Sequence, residues 1–197
     1  PLFKISSSDI TNTPLLRKVS KKKKPIILST GAASISEIKD ALKIINKNGA
    51  RDVVLMHCIL NYPTRNENAN LRMIKGLRKA FPNNLIGYSD HTVPVSNLPS
   101  LLTAFILGAV VLEKHFTYDK SLLGNDHYHS MDFKNLIEFK KDLEKIYYLL
   151  GTNEKKHPIH SENISRKNAR RSIVLRKNIN LGEKISKNNI ICKRPGT

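Results

Sequence analysis

Five short apolar runs, each followed by a stretch of helical periodicity, limit what this chain can fold into. The runs are Leu2-Phe3-Lys4-Ile5, Pro25-Ile26-Ile27-Leu28, Asp52-Val53-Val54-Leu55-Met56, Leu85-Ile86-Gly87-Tyr88 and Ala109-Val110-Val111-Leu112. They recur at roughly 25 to 30 residues, the length of one βα unit. Continuous apolar character, as in Pro25 to Leu28, marks a strand buried on both faces. Between the runs, Thr11 to Ser20 reads as a helix with Pro14 in its first turn. Ser34-Ile35-Ser36-Glu37 is a capping box, followed at helical spacing by Ile38, Ala41, Leu42 and Ile45, with Gly49 as the stop. Leu71, Ile74, Leu77 and Phe81 mark a third helix, ended by Pro82. Val93 to Gly108 holds a fourth, entered at Asn97-Leu98-Pro99. Asp132 caps a fifth, with Phe133, Leu136, Leu143, Ile146 and Leu150 on one side. Alternating β and α elements predict a parallel sheet with right-handed crossovers. Five units cannot close an eight-stranded barrel. The chain is therefore an open doubly wound sheet or a barrel without its three leading units.

Two of the runs end in histidine: Gly87-Tyr88-Ser89-Asp90-His91-Thr92 and Leu112-Glu113-Lys114-His115-Phe116-Thr117. Strand residues two apart share a face, so Ser89 points with His91 and Glu113 with His115. If these strands are parallel neighbours, two imidazoles, a carboxylate and a hydroxyl meet at their carboxyl ends, where such sheets carry their sites. Two His and a carboxylate can hold a divalent metal; two strand-end histidines bonded to backbone have the same spacing. Lys4, followed by Ser6 and Ser7, is either a point charge for a phosphate or carboxylate or a snorkelling edge lysine. Ser29-Thr30-Gly31 ends the second run where backbone can approach a ligand. In the polar stretch Gly124 to Ser130, His127 and His129 are either further metal ligands or, in an exposed loop, hydrogen-bonding groups.

Composition narrows the function classes. The formal charge is +18, with 34 Lys and Arg against 16 Asp and Glu. The basic residues are spread over every predicted helix, with one run at Lys21 to Lys24. Aromatic residues are 6% of the chain and do not interleave with them as a nucleic-acid stacking platform requires. No apolar run approaches the roughly 18 residues of a membrane span, and nothing resembles a signal peptide. Cys58 and Cys192 form no disulfide framework, which fits a reducing cytosol. Cys58, at a strand end, is a nucleophile or a small buried hydrophobe. Past Gly151 the character changes. Residues 152–160 read as a linker with Pro158, and 161–197 as a small module of short β runs, Arg171 to Leu175 and Ile190 to Lys193, around a turn at Asn180 to Glu183. Such a module is too short to fold well alone.

Taken together, KISSSD, PIILSTG, LMHC followed by NYP, GYSDHT, LEKHFT, GNDHYHSMD and KRPGT, in this order, resemble the N-acetylneuraminate (sialic acid) synthases over essentially the whole chain. The resemblance implies residues 1–151 as the last five βα units of a (β/α)8 TIM barrel, with Phe3 to Ser7 as the fourth strand and Ala109 to Phe116 as the eighth. It implies residues 161–197 as the start of an antifreeze-like SAF domain. The implied reaction condenses phosphoenolpyruvate with an N-acylated hexosamine such as N-acetylmannosamine, giving a nonulosonic acid and phosphate, in a cytoplasmic enzyme. Legionaminic or pseudaminic acid synthesis, or a carbohydrate-binding remnant without turnover, are the alternatives.

The resemblance also assigns residues. His91 and His115 would be the protein ligands of a manganese or magnesium ion, with Glu113 as the active-site carboxylate beside them. Lys4, Ser7 and Ser89 would hold the phosphoenolpyruvate carboxylate and phosphate, Ser29 and Tyr62 would line the same end, and Asp126 would contact sugar hydroxyls. Arg194 would reach the N-acyl sugar of a partner's barrel in a homodimer with exchanged SAF domains. Two departures stand out. The segment Cys58-Ile59-Leu60-Asn61-Tyr62 has an apolar residue where relatives often have a polar one. The chain also starts at Pro1, without the three leading barrel units and their site residues, so by itself it is expected to be neither stable nor active.

Overall fold

The computed structural model describes residues 1–195 of the 197. Gly196 and Thr197, the end of the KRPGT motif, lie outside the described residues. The chain divides into two compact units, Pro1–Leu150 and the residues from Gly151 onward.

The first unit contains strands β1 (Phe3–Ile5), β2 (Ile26–Ser29), β3 (Val53–His57), β4 (Leu85–Asp90) and β5 (Val111–Lys114). They alternate with helices α1 (Thr13–Ser20), α2 (Ile35–Lys47), α3 (Met73–Ala80) and α4 (Pro99–Ile106), and α5 (Phe133–Leu150) follows β5. All pairings are parallel and the strand order is β1-β2-β3-β4-β5. A doubly wound sheet reverses its order at a switch point. This one does not, and it curls as a barrel segment does.

The strands sort their residues by alternation. Ile5, Ile26, Leu28, Val53, Leu55, Ile86 and Tyr88 are buried in one core with Leu16 of α1, Ile38 and Ile45 of α2, Ile74 and Leu77 of α3, and Leu101 and Ala104 of α4. Because all four helices share that core, they cover one face of the sheet. The other, concave face carries Lys4, Ser29, Met56, Gly87, Ser89 and Glu113. Burying the first face at about 25 cal/mol per Å² is the main source of stability.

Local signals produce the expected caps. Ser34 and Glu37 form a reciprocal capping box at the start of α2, and Asn12 caps α1 by accepting from the Leu15 N–H. Helix α4 is entered through Asn97 and Leu98 at positive φ, 68° and 41°. The buried Leu98 side chain holds that unfavourable conformation in place. Helix α5 differs from expectation. Asp132 does cap it, accepting from the Asn135 N–H at 2.8 Å, but Phe133 is 67% exposed and Leu150 54%, while Phe139 is the buried apolar residue. Phe139 joins the core and Leu143 packs against it, so these residues define the inward stripe of α5.

Among the described residues, the second unit contains α6 (Asn163–Ala169) and an antiparallel pair, β6 (Ser172–Leu175) with β7 (Ile190–Lys193). Arg171 braces the pair by donating to the Cys192 carbonyl at 3.1 Å.

Candidate active site

Strands β4 and β5 pair with Ser89 opposite Glu113 and Asp90 opposite Lys114. This register sends Ser89 and Glu113 to the concave face and Asp90 and Lys114 to the helix side. The outward pair forms a buried ion pair at 2.8 Å, with both side chains fully excluded from solvent. Asp90 also accepts from the Tyr88 hydroxyl, the Thr92 N–H and the Ser100 hydroxyl, and Lys114 donates to the Thr92 carbonyl. Burial would raise the Asp90 pKa, but the Lys114 ammonium and these hydrogen bonds hold it below the usual carboxylate range. Burial pushes the Lys114 pKa down, with Asp90 opposing. A buried pair of this kind persists because its polar atoms are satisfied. Here it pins together the strand ends that deliver His91, Glu113 and His115.

On the other side of those ends the rings gather. His91 and His115 lie 5.3 Å apart between centroids, edge to face. His91 Nδ1 bonds the Ile59 carbonyl at 2.8 Å, which requires the proton on Nδ1 and leaves Nε2 with its lone pair, the arrangement metal-ligating histidines adopt. Burial lowers the His91 pKa, against the pull of that carbonyl, which favours the neutral ring that metal ligation needs. Tyr62 lies over His91 at 4.1 Å and reaches toward His115 at 5.7 Å. Burial, then the neighbouring Cys58, Asp126 and Glu113, raise its pKa.

Lys4 enters from the far edge strand and meets Glu113 at 2.9 Å. Ser29 is 3% exposed on the concave face, and its hydroxyl has no hydrogen-bond partner among the described residues. Ser89 is likewise buried. Ser7, expected beside Lys4 in the phosphoenolpyruvate site, accepts through its hydroxyl from the Gly31 N–H and bonds the Cys58 sulfur, both at 2.9 Å. These contacts lock together the loops after β1, β2 and β3, so Ser7 shapes the rim. Cys58 is the buried small residue of the two readings, 4% exposed.

The stretch Gly124 to Ser130 corrects an expectation. Its polarity suggests an exposed loop, and Asp126 is indeed exposed, but His129 is 0% exposed and tucked beneath the site. His115, Asp126 and His129 present ligand atoms that all lie within 4.8 Å of one another. His127 is a strut instead, its Nδ1 bonded to the Thr117 hydroxyl at 2.7 Å. Sequence reasoning misses the burial of His129, for which the chain carries no local signal. The donors are imidazole and carboxylate, which suit a divalent metal. Arg194 is exposed and belongs to the second unit.

Comparison with known proteins agrees with this frame. The NeuB family pattern matches residues 1–155. An uncharacterized protein of Methanocaldococcus jannaschii is 46% identical over 196 residues, 100% of this chain and 57% of that protein. The N,N'-diacetyllegionaminic acid synthase of Campylobacter jejuni is 40% identical across 98% of this chain and 57% of its own length. The crystal structure of an N-acetylneuraminic acid (sialic acid) synthetase from Leptospira borgpetersenii superposes with a TM-score of 0.74 at 36% identity, covering 83% of this chain and 55% of that one. The chain thus spans a little over half the length of the curated relatives it matches.

Proposed function

This chain belongs to the NeuB family, and we propose that it works in a cytoplasmic nonulosonic acid synthase that joins phosphoenolpyruvate to an N-acylated hexosamine. The observation that carries the reading is the meeting of His91, Glu113 and His115 with Lys4 at one end of the curled sheet.

Each group has a task in that reaction. A divalent metal, manganese or magnesium, held by His91 and His115 would supply Lewis-acid polarisation of the sugar aldehyde. Lys4, a point charge at the site mouth, attracts the phosphate and carboxylate of phosphoenolpyruvate and leaves Glu113 when they arrive. The buried hydroxyls of Ser29 and Ser89 donate to the same oxygens and fix the enol for attack. Tyr62 covers the site from above, and Asp126 accepts from sugar hydroxyls. As C3 of the enol attacks the aldehyde carbon, the carbonyl π pair moves onto oxygen as an alkoxide and C2 becomes electron-poor. Glu113 takes a proton from the water that adds at C2 and returns it to the alkoxide; the C2 hydroxyl then loses its proton to the departing phosphate as the C2–O bond breaks, which leaves the 2-keto acid.

The second unit is proposed to be the beginning of an SAF domain. In a homodimer that exchanges this domain, Arg194 would act on the sugar bound in the partner's barrel.

The test is turnover of the protein at the length of its curated relatives, with phosphoenolpyruvate, N-acetylmannosamine and manganese, following phosphate release and 2-keto acid formation. The Campylobacter jejuni relative is an N,N'-diacetyllegionaminic acid synthase, so a diacetamido hexose is the second acceptor. Product with either sugar supports the reading and selects the nonulosonate. Silence with both refutes it.

A further inference from the structure

The two-histidine metal site leaves one feature unexplained. His129 is fully buried, yet neither ring nitrogen has a hydrogen-bond partner among the described residues. The Asn125 backbone lies near the ring but does not meet the geometry of a hydrogen bond to either nitrogen. A buried polar group without a partner costs about 1–3 kcal/mol, so a chain retaining one has a use for it or a partner that arrives later. The ring is aimed at the site. Its centroid is 5.3 Å from that of His115, and Nε2 is 3.8 Å from a carboxylate oxygen of Asp126. The other Asp126 oxygen is 3.7 Å from His115 Nδ1. Ligand atoms around one ion at bond lengths near 2.0–2.2 Å sit roughly 3 to 4.5 Å apart. The two His–Asp126 separations fall in that range, and no two of the His115, Asp126 and His129 donor atoms are more than 4.8 Å apart.

We propose that His129 is a third imidazole ligand of the divalent metal, delivered by the loop after β5 together with the Asp126 carboxylate. The inference rests on the metal-dependent reading above and deepens it. One consequence follows from ligand chemistry: a third nitrogen moves preference from magnesium, which favours oxygen ligands, toward cobalt, zinc or iron.

The experiment is metal binding without substrate, on the protein at the length of its relatives. Cobalt and magnesium affinities are measured by calorimetry, and the number of coordinating imidazoles by pulsed electron paramagnetic resonance on the manganese form. The proteins compared are wild type, His129→Ala, His129→Gln and His127→Ala. His127→Ala perturbs the same loop while keeping the proposed ligands, and circular dichroism confirms that each variant folds. The expected result is at least a 10-fold loss of cobalt affinity in both His129 variants, a smaller loss for magnesium, and one fewer imidazole in the resonance spectrum. Free imidazole should restore cobalt affinity to His129→Ala by entering its cavity. Wild-type affinity and imidazole count in a folded His129 variant overturn the proposal while leaving the two-histidine site standing. Absence of metal binding by wild type itself overturns the metal reading and this inference with it.

Discussion

The Lys4 ammonium lies 2.9 Å from the Glu113 carboxylate although the two residues sit on the opposite edge strands of the sheet. Only a sheet curled as in a barrel brings its first and last strands within reach of one bond. The pair also sets the electrostatics of the site, and in the proposed reaction an arriving anion would take Lys4 from Glu113. Both side chains are about one-third exposed, 35% and 38%, so solvent screens the bond and an incoming phosphate can replace it.

Lys4→Met and Glu113→Gln should therefore fail differently. Hydrogen bonds to charged groups contribute about 1.5–3 kcal/mol, so Lys4→Met is expected to raise the KM for phosphoenolpyruvate roughly 10- to 150-fold and to leave the sugar KM nearly unchanged. Glu113→Gln should lower kcat by about 10²- to 10⁴-fold, as loss of a proton acceptor does. Steady-state kinetics with each substrate varied separates the two. A Gln variant with wild-type kcat would remove Glu113 from the water step.

The Asp90–Lys114 pair makes a stability prediction. Removing one partner of a buried, hydrogen-bonded ion pair leaves an uncompensated charge and costs about 3–5 kcal/mol. Lys114→Met is expected to show that loss in urea unfolding. Adding Asp90→Asn should recover much of it, because asparagine still accepts from the Tyr88 hydroxyl and the Thr92 N–H. Additive losses would show that the two residues do not act as a unit.

Gly87 tests how tightly the concave face is packed. A Cβ there would overlap the Met56 side chain and lie 2.7 Å from the Val111 carbonyl oxygen, which is backbone and cannot swing away. Gly87→Ala should cost about 1–3 kcal/mol. A Cβ on Gly76, inside α3, would meet nothing within 4 Å, so Gly76→Ala should instead add up to about 1 kcal/mol. Thermal denaturation of the two variants should move Tm in opposite directions.

Chelation should abolish turnover, and manganese should restore it. In His91→Ala the same manganese concentration should fail to do so, since even outer contacts of metal ligands are worth about 10- to 100-fold in affinity or activity. Chelator-resistant turnover by the wild-type enzyme would contradict metal dependence.

Much of the fold is readable in the chain. The apolar runs, the capping box at Ser34 and Glu37 and the glycine and proline stops are local signals, and local physics sets them. The two-residue period of a strand likewise suffices to place Ser89 with His91 and Glu113 with His115. Burial at a distance is not readable. Phe139 rather than Phe133 is the buried aromatic residue of α5, because which stripe of that helix meets the shared core is decided by packing against other elements and not by its own spacing. His129 looks like a loop residue in sequence and is sealed from solvent because the loop folds back under the rings of His115 and Tyr128.

The sequence by itself determined the order of strand and helix and which residues of each strand share a face, because both depend on neighbours a few positions away. Only the tertiary structure decided that the sheet winds in one direction, that Lys4 crosses to Glu113, and that Ser7 and Cys58 join three loops while His129 turns toward the site. Those outcomes depend on the curvature summed over five strands, and no window of sequence contains it.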